Sequence, residues 1–222
     1  MAEPQRPPLD RNDPIGQRAP EVIRILGETY PHASIALRFS NPLELLVATI
    51  LSAQCTDAKV NEVTETLFAK HRTAEDYLRV PEDELKADIK PTGFFNQKAL
   101  SIRESCRRIV EVYDGNVPDT MEELTTLRGV ARKTANIVLA NAFGTVVGIP
   151  VDTHVHRLSN RIGFSAQRNA DKIEQDLMRL VPEDHWYRFS YQLIDHGRAI
   201  CTAKKPRCTE CPIEYLCPSS QA

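Results

Sequence analysis

The chain has 222 residues, enough for one large domain or two small lobes that each bury a core. Apolar residues make up 41% and charged residues 26%, the composition of an ordinary soluble globular protein. No apolar run approaches the roughly 20 residues needed to span a bilayer, and the N-terminal stretch lacks the apolar segment of a secretory signal. A cytoplasmic setting is therefore expected. The net charge of −2 is unevenly spread. Between Asp57 and Lys90, six Lys/Arg face nine Asp/Glu, whereas Arg128–Arg161 holds five basic residues against Asp152 alone. Arg198–Arg207 adds four more basic residues and no acid. Two local basic stretches can thus meet phosphates although the whole chain is acidic.

Residues 1–18, rich in proline and charge, read as a disordered arm. Helical patterns follow almost without interruption, and the predicted class is all-α. The first predicted helix covers about 19–30. Asn41-Pro42 with Glu44 is a helix start: an N-cap, a proline at the first position and an acid at the third. Leu45, Leu46, Thr49, Ile50 and Ala53 then share one face. Further helices are expected at about 57–71 and 82–90. Phe95, Ala99, Ile102, Cys106, Ile109, Val110 and Tyr113 recur at three- and four-residue steps, and Asp114-Gly115 stops that helix. Thr120 with Glu123 makes a capping box. Helices at about 133–143, 153–162, 170–180 and 185–200 complete the chain. The β-branched run Thr145–Val151 is broken by Gly148 and Pro150 and reads as a linker. Cys55 and Cys106 stand singly in helical patterns and read as small core residues.

Three segments carry chemistry. Leu127-Arg128-Gly129-Val130-Ala131-Arg132-Lys133 joins two helices through a very short turn. Such a turn exposes backbone N–H groups at the second helix's N-terminus, an anion site by geometry and dipole, although a plain helical hairpin has the same length. Arg132 and Lys133 lie at this positive end, where cations are disfavoured by roughly 0.3–1 kcal/mol each. A local rule broken twice marks a functional site, and the same field favours the neutral amine that a nucleophilic lysine requires. In Val151-Asp152-Thr153-His154, Asp152 alone reads as an N-cap. Last, Cys201, Cys208, Cys211 and Cys217 follow the spacing C-x6-C-x2-C-x5-C in a chain without an export signal. Four thiolates so close form a metal site, and spacing leaves zinc and an iron–sulfur cluster both open.

Taken in order, Leu51–Asp57, Gly93–Ala99, the Leu127–Asn136 hairpin, Val151–His154 and the cysteine cluster resemble the endonuclease III branch of the helix–hairpin–helix glycosylase superfamily. The resemblance runs from about residue 20 to the C-terminus. It implies two all-helical lobes: a six-helix lobe, about 35–145, holding the helix–hairpin–helix, and a second lobe of 19–34 with 146–222 carrying a [4Fe–4S] cluster on the four cysteines. It implies a bifunctional DNA glycosylase/AP lyase that removes oxidised pyrimidines, with Lys133 as nucleophile and Asp152 as its carboxylate partner. The implied partner is double-stranded DNA containing damaged bases or abasic sites, met by a monomer and not by a membrane protein. Gln54 resembles the residue that fills the hole in the base stack. Phe94 stands where the family has a wedge, usually aliphatic. Arg128, Gly129, Val130, Ala131 and Arg132 of the hairpin, and Lys204, Lys205 and Arg207 of the cluster loop, are the expected phosphate contacts.

The hairpin departs from the family's usual Leu-Pro-Gly-Val-Gly. Arg128 replaces the proline and Ala131 the second glycine, which is costly if that position needs a positive φ. A mismatched-adenine type of monofunctional glycosylase and a non-catalytic DNA-binding iron–sulfur protein are the alternatives. The presence of Lys133 argues against the first, and retention of both Lys133 and Asp152 argues against the second.

Overall fold

The computed structural model describes residues 9–222, which are helical and contain no β-strand. They divide into two compact units, one of Ile35–Val147 and one joining the chain up to Ser34 with Gly148–Ala222.

The Ile35–Val147 unit contains helices α2 (Pro42–Leu51), α3 (Asp57–Lys70), α4 (Ala74–Arg79), α5 (Glu82–Ile89), α6 (Phe95–Val112) and α8 (Arg132–Val138), with the single turn α7 (Met121–Leu124). Beyond Val138 the helix widens into a π-helical stretch, Leu139–Phe143. The core is built from Leu45, Leu46, Leu51, Tyr77, Leu85, Ile102, Ile109 and Leu124, all fully buried. The start of α2 follows its sequence signal: the Asn41 side chain accepts from Glu44 N at 2.9 Å, and Glu44 accepts from Ser40 N. Helix α4 lies outside the helices expected from sequence. Its six residues span less than two turns and show no apolar period, yet Thr73 and Asp76 cap it reciprocally while Ala74 and Tyr77 bury against α6.

The other unit contains α1 (Ile15–Thr29), α9 (Thr153–Ile162), α10 (Ala170–Leu180) and α11 (Trp186–Ala199), followed by the cysteine-bearing loop. Val22, Leu26, Val155, Leu158, Phe189, Leu193 and Leu216 form its core. Phe164 meets Phe189 edge-on at 5.3 Å. The expected arm over 1–18 lies partly outside the described residues, at 1–8. Over 9–18 the structure corrects it. Helix α1 begins at Ile15, and Arg18 is buried with its guanidinium on the carbonyls of Asp13, Ile162 and Leu216. Proline and charge in this stretch serve a tie between distant segments, which composition alone cannot reveal.

Candidate functional site

The hairpin is built around Gly129, whose φ of +80° belongs to the left-handed region open to glycine. A Cβ there would lie 2.9 Å from Ser101 Oγ and 3.0 Å from Ser101 Cβ, so α6 approaches this turn too closely for a side chain. One turn further along α6, the Ser105 hydroxyl donates to the Arg128 carbonyl at 2.9 Å. Ala131 is the N-cap of α8 at φ −90° and ψ 171°, ordinary extended backbone. Strain at this position is therefore absent, because only the first glycine of the family pattern needs positive φ. Ala131 offers no side-chain cap. Helix α8 thus starts without the N-cap side chain that usually closes a helix start. Lys133 is exposed in that first turn, whereas Val130 is buried in the core of this unit. Arg128 is exposed and shares a surface groove with Arg107 and Arg108.

Asp152 is indeed the N-cap of α9, and its carboxylate is divided between two tasks. Oδ1 accepts from both His154 N and Val155 N at 2.8 Å. Among the described residues no hydrogen bond engages Oδ2, so capping leaves one carboxylate oxygen for other work.

Gln54 and Phe94 also stand out. Apart from Asp114, they are the only described non-glycine residues at positive φ, 52° and 48°. Both are exposed, Phe94 to 63%, so Phe94 is no core residue. A large ring held in solvent on left-handed backbone costs stability twice, which points to a use outside folding.

The four cysteines of the C-terminal loop line one small cavity together with Arg161, His196, Ile200 and Ile213. Arg161 Nη1 donates to Cys201 Sγ at 3.2 Å, and His196 Nε2 lies 3.4 Å from Cys211 Sγ. Burial pushes the Cys211 thiol up to about 11, and the other three cysteines add to that shift. Cys217 is raised too, first by burial and then by its neighbours. Four thiolates gathered here need compensating positive charge, which metal supplies. A cavity lined by all four cysteines fits a polynuclear cluster in which each iron takes one cysteine.

The loop is pinned by arginines whose charge, in sequence, points equally well to phosphates. Arg157 donates to the carbonyls of Gly197 and Cys201, and Arg161 to those of Thr202 and Ala203. Arg207 bonds the Ala199 carbonyl and pairs with Glu210 at 3.0 Å. Lys204 and Lys205 remain exposed at the loop tip. Arg207 is exposed, but sequence has no means of separating Arg157 and Arg161, which turn inward, from surface cations, since the loop carbonyls they serve carry no signature.

Residues 47–183 match the model of the HhH-GPD superfamily base excision DNA repair protein, and residues 201–217 match the iron–sulfur binding domain of endonuclease III. An endonuclease III from Synechocystis sp. is 52% identical over 206 residues, covering 93% of this chain and 94% of that protein. The chain belongs to the endonuclease III family. Two solved endonuclease III structures share its fold at 42% identity and a TM-score of 0.88. One is a non-covalent DNA complex, covering 92% of this chain and 95% of that one. The other is a trapped covalent DNA intermediate, covering 92% and 96%. As an endonuclease III family member the chain is a DNA N-glycosylase and AP lyase of base excision repair, bifunctional and directed at oxidised pyrimidines. Its cofactor is a [4Fe–4S] cluster at the clustered cysteines. No described helix is long and apolar enough to cross a membrane.

Proposed function

We propose that Lys133 is the nucleophile of this glycosylase/lyase and Asp152 its carboxylate partner. The observation that carries the reading is the placement of Lys133 in the uncapped first turn of α8, which costs helix stability. The target nucleotide is rotated out of the duplex, because C1′ is otherwise unreachable. Gln54 fills the gap in the stack and Phe94 wedges beside it. The neutral Lys133 amine then attacks C1′ while the glycosidic bond breaks and its electron pair leaves with the base. Asp152 Oδ2 stabilises the positive charge that builds on the sugar and takes the proton that the amine sheds. Opening of the sugar ring gives a Schiff base. Loss of a C2′ proton then expels the 3′ phosphate and cuts the strand.

The hairpin residues Arg128–Arg132 and the loop cations Lys204, Lys205 and Arg207 serve as phosphate contacts, and positioning by such contacts is blind to the lesion. Cys201, Cys208, Cys211 and Cys217 hold the cluster, which when bound ties the loop together; the reaction itself calls for no electron. The protein acts as a monomer in the cytoplasm. Single-turnover assays of Lys133→Gln on duplexes with one oxidised pyrimidine test the reading. Base release and strand cutting should both vanish while lesion binding persists. Strand cleavage at the wild-type rate would overturn it.

A further inference from the structure

Lys98 lies on the apolar face of α6, at the helical step between Phe95 and Ile102, and is only 4% exposed. A buried lysine needs compensation. Its ammonium donates to the Leu51 carbonyl at 2.7 Å and to the Thr92 carbonyl at 2.8 Å. No carboxylate pairs with it among the described residues. Instead it sits at two negative helix ends: Leu51 is the last residue of α2, and Thr92 closes the short 3-10 turn Lys90–Thr92.

Both carbonyls are available for the same reason. After Leu51 the chain turns through Gln54 at positive φ, and the Cys55 amide, which would have continued the helix to Leu51, bonds Ser52 O instead. After Thr92 the chain turns through Gly93 at φ 71° and ψ 165°, a conformation reserved for glycine, and then through Phe94. The Lys98 backbone N–H closes this second turn on the Phe94 carbonyl at 3.1 Å. One residue therefore holds the base of both turns that display the two exposed residues on left-handed backbone. Burial lowers the Lys98 pKa, with Cys55 opposing, as expected for a cation held by carbonyl dipoles alone.

We propose that Lys98 is a positioning residue for DNA insertion, which fixes the Gln54 and Phe94 turns to each other by joining the carbonyls of Leu51 and Thr92. The proposal rests on the reading of Gln54 and Phe94 as the residues that enter the stack. Without the clamp each turn relaxes independently, and the two insertions no longer occur as one event. The hairpin's phosphate grip does not depend on it.

The test uses cluster-loaded, full-length Lys98→Met, which keeps the apolar stem and loses the donors. The probe is a duplex carrying 2-aminopurine beside a non-cleavable abasic analogue, whose fluorescence rises when the stack is opened. At saturating protein, Lys98→Met should lose most of that rise. Its single-turnover base release should fall about tenfold or more, a loss of roughly 1.4 kcal/mol in transition-state stabilisation. Affinity for undamaged duplex should stay within about twofold, since phosphate contacts carry it. A lesion placed in an unpaired bulge, already partly unstacked, should recover much of the rate, and Lys98→Arg should recover the fluorescence. If Lys98→Met does not fold, Lys98→Gln, which keeps one donor group, is measured in the same way and should give an intermediate rise.

Gln54→Ala and Phe94→Ala separate the two layers. Should both leave the fluorescence rise intact, the insertion reading fails and this proposal falls with it. Should either abolish the rise while folded Lys98→Met, or Lys98→Gln in its place, retains it, Lys98 positions nothing and only this proposal is overturned. Equal weakening of damaged and undamaged binding by the Lys98 variant, with no bulge rescue, also overturns it, because that is the signature of general loosening.

Discussion

Replacing Gly129 by alanine probes how the hairpin is made. Two costs add at this position. The left-handed backbone disfavours any Cβ by roughly 1–2 kcal/mol. The new methyl would also meet Ser101 at 2.9–3.0 Å, against a side chain rooted on a packed helix, and overpacking of this kind costs about 1–3 kcal/mol. Gly144 separates the two effects. It has φ +70°, and a Cβ there would meet nothing within 4 Å, so Gly144→Ala should cost only the backbone part, roughly 1–2 kcal/mol. Urea unfolding of both variants measures the difference, which should be about 1 kcal/mol or more in favour of Gly144→Ala. With the hairpin acting as the proposed phosphate grip, Gly129→Ala should also weaken binding to damaged and undamaged duplex alike. Equal destabilisation by the two substitutions would show that the proximity of Ser101 does not matter. If neither destabilised the protein, the positive-φ argument itself would be wrong.

Four further outcomes are expected. Ala131→Ser supplies the side-chain acceptor that this N-cap lacks, at φ −90° and ψ 171°, and should raise stability by about 1 kcal/mol; an unchanged or lowered denaturation midpoint would contradict the cap assignment. Asp152→Asn keeps an oxygen for the His154 and Val155 amides, so its melting temperature should barely move. Its glycosylase rate on an oxidised pyrimidine should nevertheless drop by about two orders of magnitude or more, and cleavage of a preformed abasic site should suffer less; equal losses in both assays would reduce Asp152 to its cap. Replacing Lys204 and Lys205 together by alanine should flatten the slope of log affinity against log salt by about 0.9 for each phosphate no longer neutralised, with single-turnover chemistry unchanged, whereas a weakening confined to damaged DNA would place the loop in the pocket instead. Purified protein should be brown and contain about four iron and four sulfide per chain, and one stoichiometric zinc in a colourless protein would refute the cluster.

Much of this molecule is legible in its sequence. Helices α2 and α9 begin where Asn41 and Asp152 signal caps, because capping is a local interaction written in neighbouring residues. The four cysteines and Lys133 stand out in sequence for a different reason: four cysteines crowd into seventeen residues, and a lysine sits at the positive end of a helix, where local physics disfavours it. What stays hidden depends on the path of the chain elsewhere. Arg157, Arg161 and Arg18 look like surface cations in sequence, yet they satisfy carbonyls 40 to nearly 200 residues away. Lys98 does leave a trace, a lysine interrupting the apolar face between Phe95 and Ile102, but its meaning requires two turns that only the fold brings together. The short α4 illustrates the opposite limit: its capping box is present in Thr73 and Asp76, while six residues are too few for a period to register.

In the proposed reaction the amine of Lys133 becomes bonded to the sugar. Borohydride reduction during turnover on a lesion-bearing duplex freezes that bond, and proteolysis followed by mass spectrometry locates it. One covalent adduct per active chain is expected, on the peptide containing Lys133, with none formed by Lys133→Ala. An adduct on another lysine, or base release by wild-type protein with no trappable intermediate, would contradict it.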